Sequence, residues 1–290
     1  MGLGNVFLND LIELKQKGAL DGATRVMEIG AQQISDSLMI APGLPEAYRL
    51  FGCSSPPVLT PVGTENFTKS APSSAPFWSA LGFVRSAIDV EGDAIRIDLN
   101  RGKVPRRLRG AFDLVVNAGT TEHVANQMNA FRIIHHLARV GGVMYHELPA
   151  GGLIDHGLVG YQPKFFNMLA NFNGYEALYI RFTAWGPAKI PEYLRKQNPV
   201  GGDTVIDCSI RVALRKLHHL PFVCPFDAGD GAPQPWLTVL YRTLKNLSLR
   251  KSRPGRRRVS SGRVRVMQRT GTCRSWSKPA RYMDFPALFC

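Results

Sequence analysis

Three acidic residues stand at the carboxyl ends of short apolar runs, where an α/β protein binds its ligand. They are Glu28 in VMEIG, Asp89 in AIDV and Asp98 in IRIDLN. A carboxylate there accepts hydrogen bonds from ribose hydroxyls or an adenine amino group, and it repels a pyrophosphate. The loop after the first run has one glycine, Gly30, where a phosphate-binding loop has several. The pattern therefore predicts a site for a nucleoside without phosphates, or for one that carries positive charge.

These positions require a sheet whose strands end at one common edge. Helical patterns between apolar runs predict parallel strands with helices on both faces of the sheet. No convincing helix separates the last two runs, so we expect those two strands to form an antiparallel pair at one edge. The seven runs that predict strands are 24–29, 82–90, 94–100, 111–119, 142–149, 175–185 and 203–216.

Two helices are predicted between the strands. After the fourth strand, apolar residues recur at helical spacing over 124–137, with Thr120 or Thr121 as the N-cap and Gly141–Gly142 as the stop. A second helix is predicted over 162–175, after the fifth strand. Both would cover a face of the sheet.

The chain is predicted to have one main domain with additions. Residues 1–22 are predicted to form an amphipathic N-terminal helix that ends near Gly18, and 23–220 to form the main domain. Within it, 31–83 is a Pro- and Ser-rich insertion, mostly loop with one helix near 45–51, that could cover the site as a lid. Residues 221–290 are expected to be a largely disordered basic tail.

The basic charge of the chain is concentrated near its end. Fourteen Lys and Arg residues and one acid, Asp284, lie within 241–290, so this segment carries +13 of the formal charge of +14. The rest of the chain is nearly neutral. Such a tail could contact the phosphate backbone of nucleic acid, but its sparse aromatic side chains give no platform for stacking bases.

The cysteines and the apolar runs argue against several classes of protein. There are five cysteines, an odd number, and none forms a Cys-x-x-Cys pair. Neither a disulfide framework nor a zinc site is therefore expected, and a reducing compartment is the default. No apolar run approaches the roughly 20 residues that cross a bilayer. These features predict a cytoplasmic protein with no bound metal.

Five motifs, taken in order, resemble those of class I S-adenosylmethionine-dependent methyltransferases. They are VMEIGA, AIDVEG, IRIDLN, FDLVVNAGTTEHV and GGVMYHELP, and the resemblance covers about residues 22–216. It implies a Rossmann-like, doubly wound α/β fold whose mostly parallel seven-stranded sheet has an antiparallel edge strand. It also implies an enzyme with S-adenosylmethionine as its cofactor.

The resemblance also implies which residues bind the cofactor. In that family the loop after the first strand lies against the methionine part, and the acid ending the second strand binds the ribose hydroxyls. The acid near the third strand binds adenine, and residues after the fourth strand border the sulfonium. The matching positions, in this order, are Glu28 and Gly30, Asp89, Asp98 with Leu99, and Asn117 with Gly119. Gln32 stands where the family has a second glycine.

Acceptor-binding residues are expected in the segment 146–166, which follows the fifth strand. Its DHG stretch resembles bacterial methyltransferases that modify glycans or small metabolites, so we expect O-methylation, in preference to N-methylation, of such an acceptor. Methyl transfer to a hydroxyl requires removal of its proton, which suits a histidine. His156 is the leading candidate for this general base, with Asp155 or Glu147 as its orienting partner, and His146 is second.

Two other functions are compatible with the sequence. VVNAG (115–119) resembles the Asn-Ala-Gly of NAD(P)-dependent short-chain reductases and epimerases. Against this, the first turn lacks the three-glycine fingerprint, and Tyr161 and Lys164 do not have the family's Tyr-x-x-x-Lys spacing. The second alternative is a nucleic-acid-binding protein that acts through its basic tail.

Overall fold

A computed structural model describes residues 2–59, 71–90, 92, 94–197 and 202–227 of the chain. These residues hold seven α-helices and seven strands. The helices are α1 (Asn5–Gln16), α2 (Asp36–Met39), α3 (Leu44–Leu50), α4 (Ala75–Ala80), α5 (Gln127–Leu137), α6 (Pro163–Asn173) and α7 (Glu192–Gln197). The strands are β1 (Arg25–Ile29), β2 (Val84–Asp89), β3 (Ile95–Arg96), β4 (Phe112–Ala118), β5 (Ala138–Gly151), β6 (Tyr175–Lys189) and β7 (Thr204–Lys216).

The strands form one sheet in the order β3-β2-β1-β4-β5-β7-β6. β1 to β5 pair in parallel, whereas β7 runs antiparallel to both β5 and the edge strand β6. This confirms the predicted Rossmann-like α/β sheet of seven strands with an antiparallel pair at one edge. The strand order reverses between β1 and β4, and at such a point the carboxyl ends of neighbouring strands leave a crevice.

Both faces of the sheet are buried, which is why its central strands read as near-continuous apolar runs. Met27 of β1 packs on one face, in a cluster with Phe131 of α5 and Phe166 of α6. Its neighbour Val26 packs on the other face, in a second cluster with Trp78 of α4. Successive residues of β1 therefore point into different layers, and this decides which of them can reach a ligand.

The start of α5 differs from the prediction. β4 is followed by a 3-10 turn, Thr121–His123, and α5 begins after Asn126, whose side chain accepts a hydrogen bond from Asn129 N at 3.1 Å. Thr120, one of the predicted caps, instead donates through its hydroxyl to Ile29 O at 2.6 Å. The predicted cap position was therefore wrong, because the threonines serve the turn at the end of β4.

The end of α5 also differs. The helix ends at Leu137 and β5 begins at Ala138, before the predicted stop at Gly141–Gly142. Lys216 Nζ donates to His135 O at 2.6 Å and to Ala138 O at 3.0 Å. A side chain from β7 thus satisfies carbonyls at the helix end, so no glycine cap is needed there.

The insertion is more helical than predicted over its described residues, 31–59 and 71–83. α3 confirms the helix predicted near 45–51, while α2 and α4 were not predicted. α2 and α4 have four and six residues, which is too short for a hydrophobic period to show in the sequence. The role of this insertion as a lid stays a prediction.

The N-terminal helix ends near Gly18, as predicted, and does not fill the whole segment 1–22. It ends at Gln16, and Gly18 follows in the left-handed region with φ +72°. No helix in the described part of the chain is both long enough and apolar enough to cross a bilayer.

The first residues of the predicted tail pack on the domain. Val223 N donates to Asn173 Oδ1 at 2.8 Å, and Val223 O accepts from Asn173 Nδ2 at 2.9 Å. Residues 228–290, which include the basic segment 241–290, lie outside the described residues.

Candidate active site

A cleft of about 370 Å³ opens at the carboxyl ends of β1, β2 and β4, where the strand order reverses. Its volume lies within the roughly 300–1,000 Å³ of small-molecule and cofactor sites. Five of the residues predicted to bind a cofactor line it, namely Gly30, Asp89, Asp98, Leu99 and Gly119. The sheet thus brings together residues from four separate sequence motifs.

Gly30 is required both by its backbone conformation and by its neighbour. Its φ is +77°, and a Cβ at this position would lie 2.4 Å from Thr120 Oγ1. Only glycine adopts this conformation without strain and allows the approach. The loops that follow β1 and β4 therefore touch each other at the cleft.

The loop after β1 already uses its backbone N–H groups in hydrogen bonds to the protein itself. The N–H groups of residues 30, 31 and 32 donate, in this order, to Ile88 O at 2.8 Å, Asp89 Oδ2 at 2.8 Å and Glu28 Oε2 at 3.0 Å. A phosphate-binding turn points such groups at its ligand. None of these three N–H groups is available to a phosphate. The loop therefore does not need the several glycines of a phosphate-binding turn.

Gln32, in the place of the family's second glycine, folds its side chain back over the loop. Its Nε2 donates to Ile29 O at 2.9 Å and to Gly30 O at 3.1 Å. Its Oε1 is buried and has no hydrogen-bond partner among the described residues. Gln32 also lines the cleft, so this buried acceptor belongs to a residue of the cleft wall.

The two aspartates give the cleft a negative lining. Asp89 also accepts from Val90 N at 2.7 Å, and the exposed Asp98 accepts from Asn100 N at 2.8 Å. None of the described residues that line the cleft is a lysine or an arginine. Such a lining favours a cationic ligand and disfavours a pyrophosphate.

Glu28 does not reach the cleft. Its fully buried carboxylate faces the layer that contains α4, where it accepts from Ser74 Oγ at 2.6 Å and Trp78 Nε1 at 2.7 Å. Arg85 Nη2 lies 2.6 Å from Glu28 Oε2. Burial raises the pKa of Glu28, and the charge of Arg85 opposes this shift. Glu28 therefore joins β1 to the insertion and cannot contact a ligand in the cleft.

Asn117 and His146 are buried and are not among the residues that line the cleft. Asn117 is buried, and its Nδ2 donates to Thr121 Oγ1 at 2.9 Å. His146 packs between Phe131 and Phe166, with ring centroids 5.3 and 5.4 Å away. Burial lowers the pKa of His146 to about 3. The structure thus gives His146, the second candidate base, no access to an acceptor.

The two predicted partners of His156 bond elsewhere. Asp155, with φ +63°, accepts a hydrogen bond from the hydroxyl of Tyr193. Glu147 is buried and accepts from Tyr145 Oη at 3.2 Å. Neither carboxylate is within hydrogen-bonding distance of His156 in the described structure.

The carboxylate that faces His156 is Glu122, which the sequence did not single out. Glu122 Oε1 lies 3.5 Å from His156 Nε2 and 3.6 Å from His123 Nε2. Burial raises the pKa of Glu122 to about 7, and it lowers the pKa of both histidines. We call these three residues the Glu122 cluster.

The Glu122 cluster belongs to the same site as the cleft, because His123 also lines the cleft. Glu122 and His123 lie in the 3-10 turn after β4, and His156 lies in the loop after β5. The acid-histidine pair in TTEH, directly after NAG at a strand end, was the sequence signal that could have identified them. Its pairing with the DHG motif depends on how the two loops dock.

Tyr161 and Lys164 were compared with the Tyr-x-x-x-Lys pair of short-chain reductases, and their side chains bond to different partners. Tyr161 is buried, and its hydroxyl lies 2.9 Å from Thr121 Oγ1 and 2.6 Å from Gln127 Oε1. Burial raises the pKa of Tyr161 well above its ordinary value. Lys164 Nζ instead lies 2.7 Å from Asp227 Oδ1. A lysine-assisted tyrosine is therefore not formed by these two residues.

The strand order and the reversed β7 match the Rossmann-like fold of class I methyltransferases. Comparison of the sequence with family models and with curated proteins gives no match. Solved structures similar to this chain include a methyltransferase candidate from Bacillus halodurans C-125. It is 12% identical, with a TM-score of 0.43, and the match covers 72% of this chain and 100% of that one.

Two further similar structures are methyltransferases. One is a SAM-dependent enzyme from Archaeoglobus fulgidus, 12% identical with a TM-score of 0.37, over 70% of this chain and 92% of that one. The other is the Burkholderia thailandensis 1,6-didemethyltoxoflavin-N1-methyltransferase, solved with 1,6-didemethyltoxoflavin and S-adenosylhomocysteine. It is 12% identical with a TM-score of 0.37, over 73% of this chain and 78% of that one. At these identities and scores we take no residue role from them.

Proposed function

We propose that this protein transfers the methyl group of S-adenosylmethionine to a hydroxyl oxygen of a small-molecule or glycan acceptor. One observation carries the proposal, namely that the N–H groups of residues 30–32 already donate to acceptors of the protein itself. The cleft beside it has two aspartates and neither lysine nor arginine among its described lining residues. This combination suits a cationic nucleoside without phosphates and disfavours NAD(P).

The residues present fit this cofactor. We propose that Asp89 binds the ribose hydroxyls, and that Asp98 and the buried Leu99 hold the adenine. Gly30 allows close approach of the backbone to the methionine part. The unpaired Gln32 Oε1 is proposed to accept a hydrogen bond from the ammonium group, which would relieve the roughly 1–3 kcal/mol cost of a buried, unsatisfied acceptor. When bound, the cofactor supplies a methyl group on a positively charged sulfur.

We place the acceptor hydroxyl beside the Glu122 cluster. His123 lines the cleft, so an acceptor at this wall would lie next to the cofactor. His156, the base predicted from the sequence, belongs to this cluster, and Glu122 has the place expected for Asp155 or Glu147. The protein would contribute chiefly by holding acceptor and cofactor in line for displacement and by excluding water.

Calorimetry with S-adenosylmethionine tests the proposal. We expect the wild type to bind it and Asp89→Ala to bind it at least tenfold more weakly. Asp21→Ala is the matched control, because Asp21 is an exposed aspartate before β1, at the opposite end of the sheet, that pairs with Lys15 at 3.1 Å. Its affinity should equal that of the wild type.

Three outcomes would contradict the proposal or its site map. Binding of NAD+ but not of S-adenosylmethionine by the wild type would favour the reductase alternative. No binding of either ligand would discard the cofactor site. Equal affinities in the wild type and both variants would show that Asp89 does not contact the ligand. Transfer of a labelled methyl group to hydroxyl-bearing and amine-bearing acceptors then decides between O- and N-methylation.

A further inference from the structure

We propose that Glu122, His123 and His156 together bind one divalent transition-metal ion, with Zn²⁺ as the best match, at the wall of the cleft. The sequence predicted no metal, because no local motif joins the three residues. Only the docking of the loop after β5 onto the turn after β4 brings their donor atoms within 4.8 Å of one another.

The spacing of the Glu122 carboxylate from each histidine fits tetrahedral coordination. Glu122 Oε1 lies 3.5 and 3.6 Å from the two histidine Nε2 atoms, which is too far for a strong hydrogen bond. Zinc bonds of about 2.0–2.2 Å at a tetrahedral angle place neighbouring ligand atoms roughly 3.3–3.6 Å apart. Octahedral coordination at the 2.0–2.1 Å distances of magnesium would place them only about 3 Å apart. Two imidazoles with one carboxylate also suit zinc better than magnesium or calcium.

The buried carboxylate of Glu122 points to a missing ligand. Its side chain has 0% exposure, and neither oxygen has a hydrogen-bond partner among the described residues. His156 Nε2 is also buried without such a partner. Buried charged or polar groups of this kind are normally paired or coordinate a metal. An ion between the three side chains would satisfy the carboxylate and both imidazoles at once.

The backbone around the cluster is already fixed in the required position. Glu122 O accepts hydrogen bonds from Leu158 N at 2.8 Å and from Val159 N at 3.1 Å. These bonds tie the loop that carries His156 to the turn that carries the other two ligands. A metal site needs this kind of support, because its ligands must be held close to their final geometry.

Three protein ligands would leave one coordination position open, as in catalytic zinc sites. The site is accessible through its histidines, whose side chains are 49% exposed at His123 and 30% exposed at His156. If the proposed function holds, the open position is where the acceptor hydroxyl binds, and His156 is a ligand and not the base. Coordination would lower the pKa of that hydroxyl. Its proton would leave to water, the O–CH₃ bond would form as the S–CH₃ bond breaks, and the sulfur would keep the electron pair.

Metal binding by the full chain tests the site directly. After removal of metals with a chelator, we expect calorimetry with Zn²⁺ to give one tight site per wild-type chain. Glu122→Gln and His123→Ala should each lower the Zn²⁺ affinity at least a hundredfold. His219→Ala is the matched control, because His219 is an exposed histidine outside the cluster. Its affinity should be unchanged.

Co²⁺ provides a second readout that does not depend on activity. In the wild type it should give the intense visible absorption of a tetrahedral site, and this should be lost in Glu122→Gln and His123→Ala. His123 is half exposed, so its replacement leaves the core intact. Absence of tight Zn²⁺ binding by the wild type would overturn the proposal. Equal Zn²⁺ affinity in Glu122→Gln and wild type would do the same, since the ion would then bind elsewhere.

Cofactor binding separates this proposal from the proposed function. Glu122→Gln should still bind S-adenosylmethionine, because Glu122 does not line the cleft. A wild type that binds Zn²⁺ but no S-adenosylmethionine would keep the metal site and discard the cofactor site. The reverse result would keep the cofactor site and discard the metal.

Discussion

Gly157 lies directly against Glu122. A Cβ at Gly157 would be 2.9 Å from Glu122 Cγ and 3.1 Å from Glu122 O. The glycine of the DHG motif is therefore needed for space, and its neighbour His156 is brought to Glu122 by this contact. A loop with any side chain at this position would stand farther from the turn after β4.

Replacement of Gly157 by alanine should open the Glu122 cluster. Forcing a methyl group into a packed contact costs about 1–3 kcal/mol, which lowers the melting temperature by several degrees in a protein of this size, roughly 2–4 °C per kcal/mol. Because His156 is adjacent, we also expect at least a tenfold loss of Zn²⁺ affinity. Thermal melting and calorimetry measure the two effects.

Gly160→Ala is the control for this change. Gly160 lies in the same loop, and the nearest atom to a Cβ there would be Ala150 O at 3.5 Å, an ordinary contact. Its melting temperature and Zn²⁺ affinity should match those of the wild type. Equal behaviour of the two variants would show that the contact between Gly157 and Glu122 does not position the loop.

Replacement of Gly30 by alanine should weaken cofactor binding. The left-handed conformation, φ +77°, costs alanine roughly 1–2 kcal/mol, and the 2.4 Å approach to Thr120 Oγ1 adds overpacking of about 1–3 kcal/mol. Since both loops at the cleft must move, S-adenosylmethionine affinity should fall at least tenfold. Thermal melting and calorimetry with S-adenosylmethionine provide the readouts.

Gly22→Ala isolates the conformational part of this effect. Gly22 has φ +66°, and a Cβ there would have no neighbour within 4 Å. We expect it to lose only the conformational component of stability and to keep full cofactor affinity. If Gly30→Ala were no less stable than Gly22→Ala, the contact with Thr120 would not contribute to the loss of stability.

The sequence predicted the sheet and five of the residues that line the candidate cleft, because both follow from local patterns. Apolar runs mark the strands, and the ends of parallel strands share one edge. Asp89, Leu99 and Gly119 needed no further information to be placed at the cleft. Gly30 was placed at the cleft by the same rule. The N–H groups of its loop donate to acceptors of the protein, which is consistent with a loop that has no further glycines.

The remaining site residues depend on tertiary packing. Glu28 is an internal residue of β1, and alternation turns its side chain toward the layer filled by α4, a helix that the sequence did not predict. His146 was likewise placed at a strand end, but Phe131 and Phe166 from two helices enclose it. The contact of Glu122 with His156 joins two loops that are distant in the chain, so no local sequence pattern could predict it.

Replacement of Arg85 by methionine should destabilise the fold strongly. Arg85 pairs at 2.6 Å with Glu28, which is fully buried, and a buried carboxylate that loses its partner costs about 3–5 kcal/mol. The double variant Glu28→Gln with Arg85→Met should recover most of this loss, because neither charge then remains. Denaturant unfolding at neutral pH measures all of these free energies.

Arg49→Met is the control for the ion pair. Arg49 pairs with Glu46 at 2.7 Å, but its side chain is 70% exposed, and such surface pairs contribute at most about 1 kcal/mol. A similar loss of stability at both arginines, or no recovery in the double variant, would argue that Arg85 stabilises the protein through packing alone.

Glu147 should make the stability of the protein decrease with rising pH. It is buried, Tyr145 Oη lies 3.2 Å from its Oε2 and 3.0 Å from Asp10 Oδ2, and burial raises the pKa of Glu147 from 4.5 to about 7. Between these two values the folded protein holds a proton that the unfolded chain has lost. The contribution of Glu147 to the free energy of unfolding therefore falls as the pH rises through this interval.

Glu147→Gln removes this titration, since glutamine stays neutral and can still accept from Tyr145. We expect the variant to be more stable than the wild type above about pH 7, by up to about 3 kcal/mol, and nearly equal to it below about pH 4. Denaturant unfolding across this range measures the difference, with Glu176→Gln, at a half-exposed glutamate paired with Arg215, as the control. Dependence of this sign that remains in the variant reports on the other carboxyl groups whose pKa burial raises, namely Glu122, Glu28 and Asp10. If the free energy of unfolding changed with pH in the same way in the wild type and in Glu147→Gln, Glu147 would already be ionised in the folded protein.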